Sequence, residues 1–433
     1  MFFYQLRQAV LSLKSTPVLS FLIALGIAVG IGVAMTAITM YHNHDAHPIA
    51  HKDHRLYSVR LNSWGQERPY TEPNEPPWQL TYTDAMALCR SDIPERKVVT
   101  YKVSDYVHPP KEDQKPYRSL IRLTQRDFFP MFEVPFIFGG PWTLEADQRP
   151  EQVVVINRAT NDRLFGGENS VGATLRLGKL DYRIAGVIDH WHPAPKYYDL
   201  NNDQFAESEP IFIPFGLLTT LKLPSSGNTN GWGEGQPGFE GLLRGEDVFL
   251  QMWVELPDGP EAFKAHIDQY ALEQKKIGRF RREMNNRLDR VSVLLEEREV
   301  VDGRVRTMLV VGILVLVACV LNVVGLILGK FSAKLHQIGV RRALGASRYH
   351  VFCEHLTESA VIGLIGAVFG LPLTWLGLKA LKWVSREHDA IYRFDLQMLA
   401  VLVAVSLIAA ILGGLFPAWR VCRASPSIYL KIQ

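Results

Sequence analysis

Four apolar runs decide what this chain can become. Pro17–Met40 carries no charge at all, and Thr307–Gly329 is broken only by Asn322. Ser359–Leu378 and Leu396–Trp419 follow in the same style. A helix needs about 20 mostly apolar residues to cross a bilayer, and each run meets that length. The first is longer than the roughly 7–15 residues of a signal-peptide core, and no A-x-A cleavage site follows it. Four spans are expected, none with Asp, Glu, Lys or Arg in its core. A proton relay or ion path needs such residues, so an ion-coupled carrier is not expected. Asn322 reads as polar glue between helices.

Charge sets the expected orientation. Of 47 basic and 44 acidic residues, the stretches 1–40 and 307–433 hold 14 and 5. The interior 41–306 is therefore acidic, about −6, between basic apolar ends. That distribution excludes a simple cytosolic enzyme and argues against a nucleic-acid partner. Lys and Arg collect in the leader (Arg7, Lys14), in the second connection (Lys330, Lys334, Arg341, Arg342, Arg348) and in the tail (Arg420, Arg423, Lys431). Positive charge marks the cytoplasmic side, so both termini are expected inside and residues 41–306 outside. The expected division is a cytoplasmic interfacial helix 1–16, span 17–40, external domain 41–306, span 307–329, and cytoplasmic loop 330–358. Span 359–378, external loop 379–395, span 396–419 and tail 420–433 complete it.

The external stretch is long enough for its own core and reads as α+β. Arg55–Asn62, Val153–Ile156, Thr174–Leu177, Tyr182–Val187 and Val248–Glu255 have the composition of short strands. Thr83–Ser91, Ala159–Leu164 and Pro260–Gln274 read as helices, the second stopped at Phe165-Gly166-Gly167. Ser225–Gly241, rich in Gly, Ser and Asn, reads as a long mobile loop. Cys89 is the single cysteine of the four (Cys89, Cys319, Cys353, Cys422) to fall here, so no disulfide within this domain is available, and a buried apolar role is expected.

Enzyme signatures are missing. Gly178-Lys179 and Gly329-Lys330 are followed by Leu180 and Phe331 and lack the earlier glycine of a phosphate-binding loop. Neither H-E-x-x-H nor G-x-S-x-G occurs. His42, His44, His47, His51 and His54 crowd the exit of the first span. Their spacing would suit zinc on a helix, but Pro48 interrupts it and no cysteine or carboxylate cluster completes a tetrahedral set, so no metal ligand is assigned.

The most specific stretch is Gln337-Ile338-Gly339-Val340-Arg341-Arg342-Ala343-Leu344-Gly345-Ala346-Ser347. It mixes apolar contacts with a fixed positive pair and ends at a glycine suited to a helix C-cap. On chemistry alone it could hold acidic lipid headgroups. The stretch resembles the signature of MacB/FtsX-type ABC-transporter permeases, with Gln337 where that pattern has Glu. The resemblance extends to the leader and first span (Tyr4–Arg7 through Leu25–Gly30), to Leu123–Phe138, Val153–Leu177 and Tyr182–Val187, to Phe165–Gly172, and to the tail Gly414–Val421 with Ala424-Ser425-Pro426.

The resemblance implies four transmembrane helices with a large α+β periplasmic core inserted between the first and second. That core would have two lobes, the second over about 123–245. It implies a bacterial inner-membrane permease subunit without its own ATPase domain, so ATP and Mg would be bound by a separate cytoplasmic ABC ATPase dimer. Coupling would fall to Gln337, Gly339, Arg341, Arg342, Ala343, Leu344, Gly345 and Ala346. A second permease chain, the same or similar, would pair through spans one and two. Gly26 and Gly30, Gly366 and Gly370 allow close helix approach, between chains or within one. The function implied is transmission of ATP-driven motion to the periplasmic domain for export of a peptide, antibiotic or lipid-linked substrate, with or without a periplasmic adaptor and outer-membrane channel. Control of a cell-wall hydrolase and lipoprotein extraction are the other uses of the same machine.

Overall fold

The computed structural model describes residues 2–110, 114–233, 238–333, 338, 340–341, 345–385 and 396–423. They form two units, one of residues 1–45 and 301–433, the other of 46–300. The first unit begins with α1 (Phe2–Ser15) and α2 (Pro17–His44). Pro17 stands at the first turn of α2, where its missing N–H costs nothing.

The second unit is built on a ten-stranded sheet. In chain order it runs β1 (Leu56–Arg60), α3 (Tyr82–Leu88), β2 (Arg96–His108), β3 (Tyr117–Thr124), α4 (Phe128–Met131) and β4 (Phe136–Gly139). Then come α5 (Leu144–Gln148), β5 (Val153–Asn157), α6 (Arg158–Phe165), β6 (Thr174–Leu177), β7 (Leu180–Ile188) and β8 (Ile211–Pro214). The unit closes with α7 (Leu217–Leu221), α8 (Gly238–Arg244), β9 (Gln251–Glu255), α9 (Glu261–Lys276), β10 (Arg287–Arg290) and α10 (Val291–Glu297). Strand order is β10-β1-β9-β2-β3-β8-β5-β7-β4, with β6 pairing β2 and β7.

Strand β2 joins two groups of strands. Its first half pairs with β9 (Arg96↔Glu255 to Thr100↔Gln251), and its second with β3 (Tyr101↔Leu123 to Val107↔Tyr117). The second group therefore begins inside β2, not near 123, because one strand runs through both. Helix α6 shows how local sequence fixes an element. The Asn157 side chain accepts from the Thr160 N–H, and Gly166 at φ +74° ends the helix.

Two buried charge clusters hold this unit together. Arg122, Lys196, Asp199 and Glu209 are all sealed from solvent. Arg122 pairs with both carboxylates, Lys196 Nζ reaches Glu209 Oε1 at 2.6 Å, and Gln251 Nε2 donates to Asp199 Oδ1 at 2.6 Å. The surrounding wall is aromatic, with Phe128, Phe132, Trp191, Tyr198 and Trp253 in mutual contact. In the second cluster Arg60 spreads over Asp289 (3.1 Å), Glu297 (3.0 Å) and Glu75, and lies 3.5 Å from the Trp78 ring centre.

The expected mobile loop is partly tied down. Asn230 and Val248 exchange backbone hydrogen bonds, Ser226 N donates to Lys102 O, and Trp232 packs on Trp64 with ring centres 4.9 Å apart. Composition flagged the glycines, but not the tryptophan that anchors them. Burial pushes the Cys89 thiol up to about 12 against the pull of Lys97, and the half-buried side chain packs against the apolar core.

The chain re-enters the first unit through α11 (Gly303–Ser332), then α12 (Arg348–Ser385) and α13 (Leu396–Arg423). With α2, these are four helices long and apolar enough to cross a membrane. Ile23, Ile27, Ile31, Val323, Ile362 and Leu402 form their shared core.

Candidate functional site

The connection between α11 and α12 is the segment singled out by sequence. Ile338 is buried in the helix core, whereas Val340 and Arg341 are exposed. Gly345 has φ +101°, and Ala346 N donates to Arg341 O at 3.1 Å. This six-to-one bond over a left-handed glycine is how a helix C-terminus is closed. Arg341 Nη1 pairs with Glu354 Oε1 of α12 at 2.9 Å. Gln337, Gly339, Arg342, Ala343 and Leu344 lie outside the described residues.

Behind this segment is a buried polar node. Lys330 Nζ of α11 lies 2.7 Å from Glu358 Oε1 of α12 and donates to Ser20 Oγ of α2 at 2.9 Å. Ser12 of α1 donates to the same Glu358 oxygen. His355 packs at a tilt against Phe331, ring centres 4.1 Å apart, with Nδ1 3.7 Å from Glu358 Oε2. A cavity of about 410 Å³ opens beside the node, lined by Ser12, Thr16, Ile338, Arg341, Glu354 and Glu358 among others.

The span cores 307–329 and 359–378 carry no charge, as expected, but the helices run on past them to bury Lys330 and Glu358. Hydropathy ends the second run at Gly329 and starts the third at Ser359, just short of both ions. The helices themselves continue to Ser332 and from Arg348, so Lys330 and Glu358 turn inward on helical backbone. A charge with a buried partner is invisible to an average over a window.

The glycines pack within the chain. A Cβ at Gly30 would stand 2.7 Å from Cys319 Cβ, and one at Gly26 3.3 Å from Val323 Cγ2, both on α11. Gly366 and Gly370 of α12 likewise press on Ile27 and Ile31 of α2. Asn322 instead lies exposed on the opposite face of α11 with no hydrogen-bond partner among the described residues. Gly325 and Gly329 share that face with open space around them, a spacing the sequence reading passed over.

The histidines do not converge. His44 Nδ1 bonds Met40 O, His47 meets Asp53 at 3.1 Å, and His51 meets Glu133 at 2.8 Å. Among the described residues no group of three or more His, Cys, Asp or Glu is arranged to hold a metal ion.

Four apolar helices with one large α+β insertion after the first define a multi-span membrane protein of permease architecture. Residues 20–270 match the MacB-like periplasmic core domain, and residues 309–426 match the FtsX-like permease C-terminal domain. The chain belongs to the MacB/FtsX family of ABC-transporter permeases. Among relatives, the macrolide export ATP-binding/permease protein MacB of Photorhabdus laumondii is 22% identical over 307 residues, covering 69% of this chain and 41% of that protein. The protein of the same name from Pasteurella multocida is 23% identical, covering 68% and 40%. The chain thus spans about two fifths of the length of these relatives. Among solved structures, the periplasmic region of MacB from Actinobacillus actinomycetemcomitans covers 57% of this chain and 94% of its own, at 14% identity and a TM-score of 0.36.

Proposed function

We propose that this chain is the permease subunit of an ABC exporter, driven by a cytoplasmic ATPase dimer that docks on the segment from Gln337 to Ala346. The observation that carries the reading is the bond from Ala346 N to Arg341 O, with Arg341 paired in turn to Glu354 of α12. Closure of the ATPase on ATP moves this segment, and α2 and α11 carry the movement to the domain covalently joined to their far ends. For ATP to do this work, the ATPase must bind two states of the permease with different free energy. The cytoplasmic side of this reading is the side of Arg341, a placement that the lysines and arginines around it support. The inner membrane of a bacterium is the setting, and the periplasmic core faces out.

Export is favoured over the other uses of the fold by the relatives, whose names state macrolide export. The cargo class is a peptide, antibiotic or lipid-linked molecule, handed on with or without an adaptor and outer-membrane channel. Lipoprotein extraction would suit a free hook, and the backbone ties at Ser226 and Asn230 weigh against one.

The test is Arg341→Glu with Arg342→Glu in the full chain. Membrane insertion should be unchanged. The ATP-dependent change in hydrogen exchange of residues 46–60 and 287–302, measured beside the co-purified ATPase, should disappear. Undiminished coupling in this double variant would remove the docking assignment.

A second permease chain is expected on the free face of α11. Val310, Leu314, Val317 and Leu321 are exposed there with Asn322, Gly325 and Gly329. Asn322 needs a partner inside a bilayer, and the two glycines admit a close backbone. Leu321→Cys in a cysteine-free background should cross-link two copies in membranes.

A further inference from the structure

We infer that Lys330 and Glu358 are a positioning pair that converts movement of the docking segment into movement of α2 and α11. The inference rests on the coupling reading above and names the side chains that carry it. The node takes one side chain from each of four helices: Ser12 from α1, Ser20 from α2, Lys330 from α11 and Glu358 from α12. Both ions are buried, Lys330 at 0% exposure and Glu358 at 3%. Glu358 lies one helical turn beyond Glu354, the residue that holds Arg341. Residues four apart share a helix face, so a continuous polar line runs from Arg341 through Glu354 and Glu358 to Lys330 and Ser20.

Stability alone does not explain such a pair. Buried ions replaced by apolar side chains of similar volume often leave a protein as stable or more so. What the pair adds is a unique register. Methionines at these places would remove the polar tie that fixes the inner end of α11 to α12, whereas the ions cannot part without each facing apolar surroundings alone. Of the helices at this node, α2 and α11 are the two whose far ends join residues 46–300. A push on the docking segment therefore reaches α11 and α2 through that tie.

The experiment uses the full chain with its co-purified ATPase in lipid nanodiscs. The neutral double variant Lys330→Met with Glu358→Met should insert, capture the ATPase and hydrolyse ATP as wild type does. Its ATP-dependent change in hydrogen exchange at residues 46–60 and 287–302 should fall by about threefold or more. The exchanged pair, Lys330→Glu with Glu358→Lys, should recover most of that change, because Ser12 and Ser20 hydroxyls can donate or accept. Full response in the neutral double variant would overturn the inference while leaving the docking assignment intact. An ATPase that is captured but elicits no response even from wild type would remove the coupling reading and this inference together. If the exchanged pair fails to insert, the neutral double variant decides by itself.

Discussion

Replacing Arg122 by Met is expected to destabilise the periplasmic domain by about 3–5 kcal/mol. The change leaves Asp199 and Glu209 sealed in an aromatic wall with Lys196 as their only remaining cation in the cluster. Hydrogen exchange across residues 196–213 of the full chain measures the loss directly. Acid has a related effect on wild type. Burial acts to raise the carboxyls of Glu209 and Asp199, but Arg122 first and Lys196 second hold both below the ordinary range. A folded-state pKa below the unfolded value contributes stability that is fully present above the unfolded value. That contribution fades as pH falls toward the folded one. Stability should therefore be level near neutrality and decline below about pH 4. In the Arg122→Met chain that acid-dependent decline should shrink or reverse, because the larger of the two cations holding these carboxyls low is gone. Equal exchange rates in the two chains at neutral pH would show that the cluster is dispensable.

A conservative change at Arg60 is expected to be nearly as damaging. The guanidinium divides its two forks among Asp289, Glu297, Glu75 and the Pro76 carbonyl while lying on Trp78. Lysine offers one compact charge and no flat surface, so it cannot serve both forks and stack. Arg60→Lys should cost about 2–3 kcal/mol. The local signature should be faster exchange in α10 and at Arg298, which shares Trp78 and donates to Leu200 O at 2.9 Å. Those residues lie immediately before α11, so under the coupling proposed above their loosening should also blunt any ATP-dependent response. Unchanged exchange over 291–302 would mean that Trp78 and Asp289 hold α10 without Arg60.

What the sequence disclosed depended on how local the cause was. The spans were legible because a bilayer demands uninterrupted apolar length, and Gly166 was legible because a left-handed residue at a helix end is a one-residue requirement. Strand β6 was readable to the residue, since Thr174–Leu177 alternates between exposed and buried positions. Strands β2 and β3 were not read as strands. Lys97, Lys102 and Asp105 interrupt the apolar pattern of β2, and Arg122 looks like a surface residue until Asp199 and Glu209 arrive from elsewhere in the chain. At the candidate site, Gly345 and Arg341 were visible in the motif. Lys330 and Glu358 were not, because each is explained only by the other. Gly26 and Gly30 showed that some backbone comes close, and only coordinates showed that it is α11 of the same chain.

Strand β2 has a mechanical consequence. Its 13 residues extend for about 40 Å, and both groups of strands hang on it through continuous ladders. A hinge placed between the groups would have to bend that strand and break its pairing. The periplasmic domain is thus better regarded as a crank arm than as a pair of jaws. A sheet tied in this way would turn as one body if its attached ends moved.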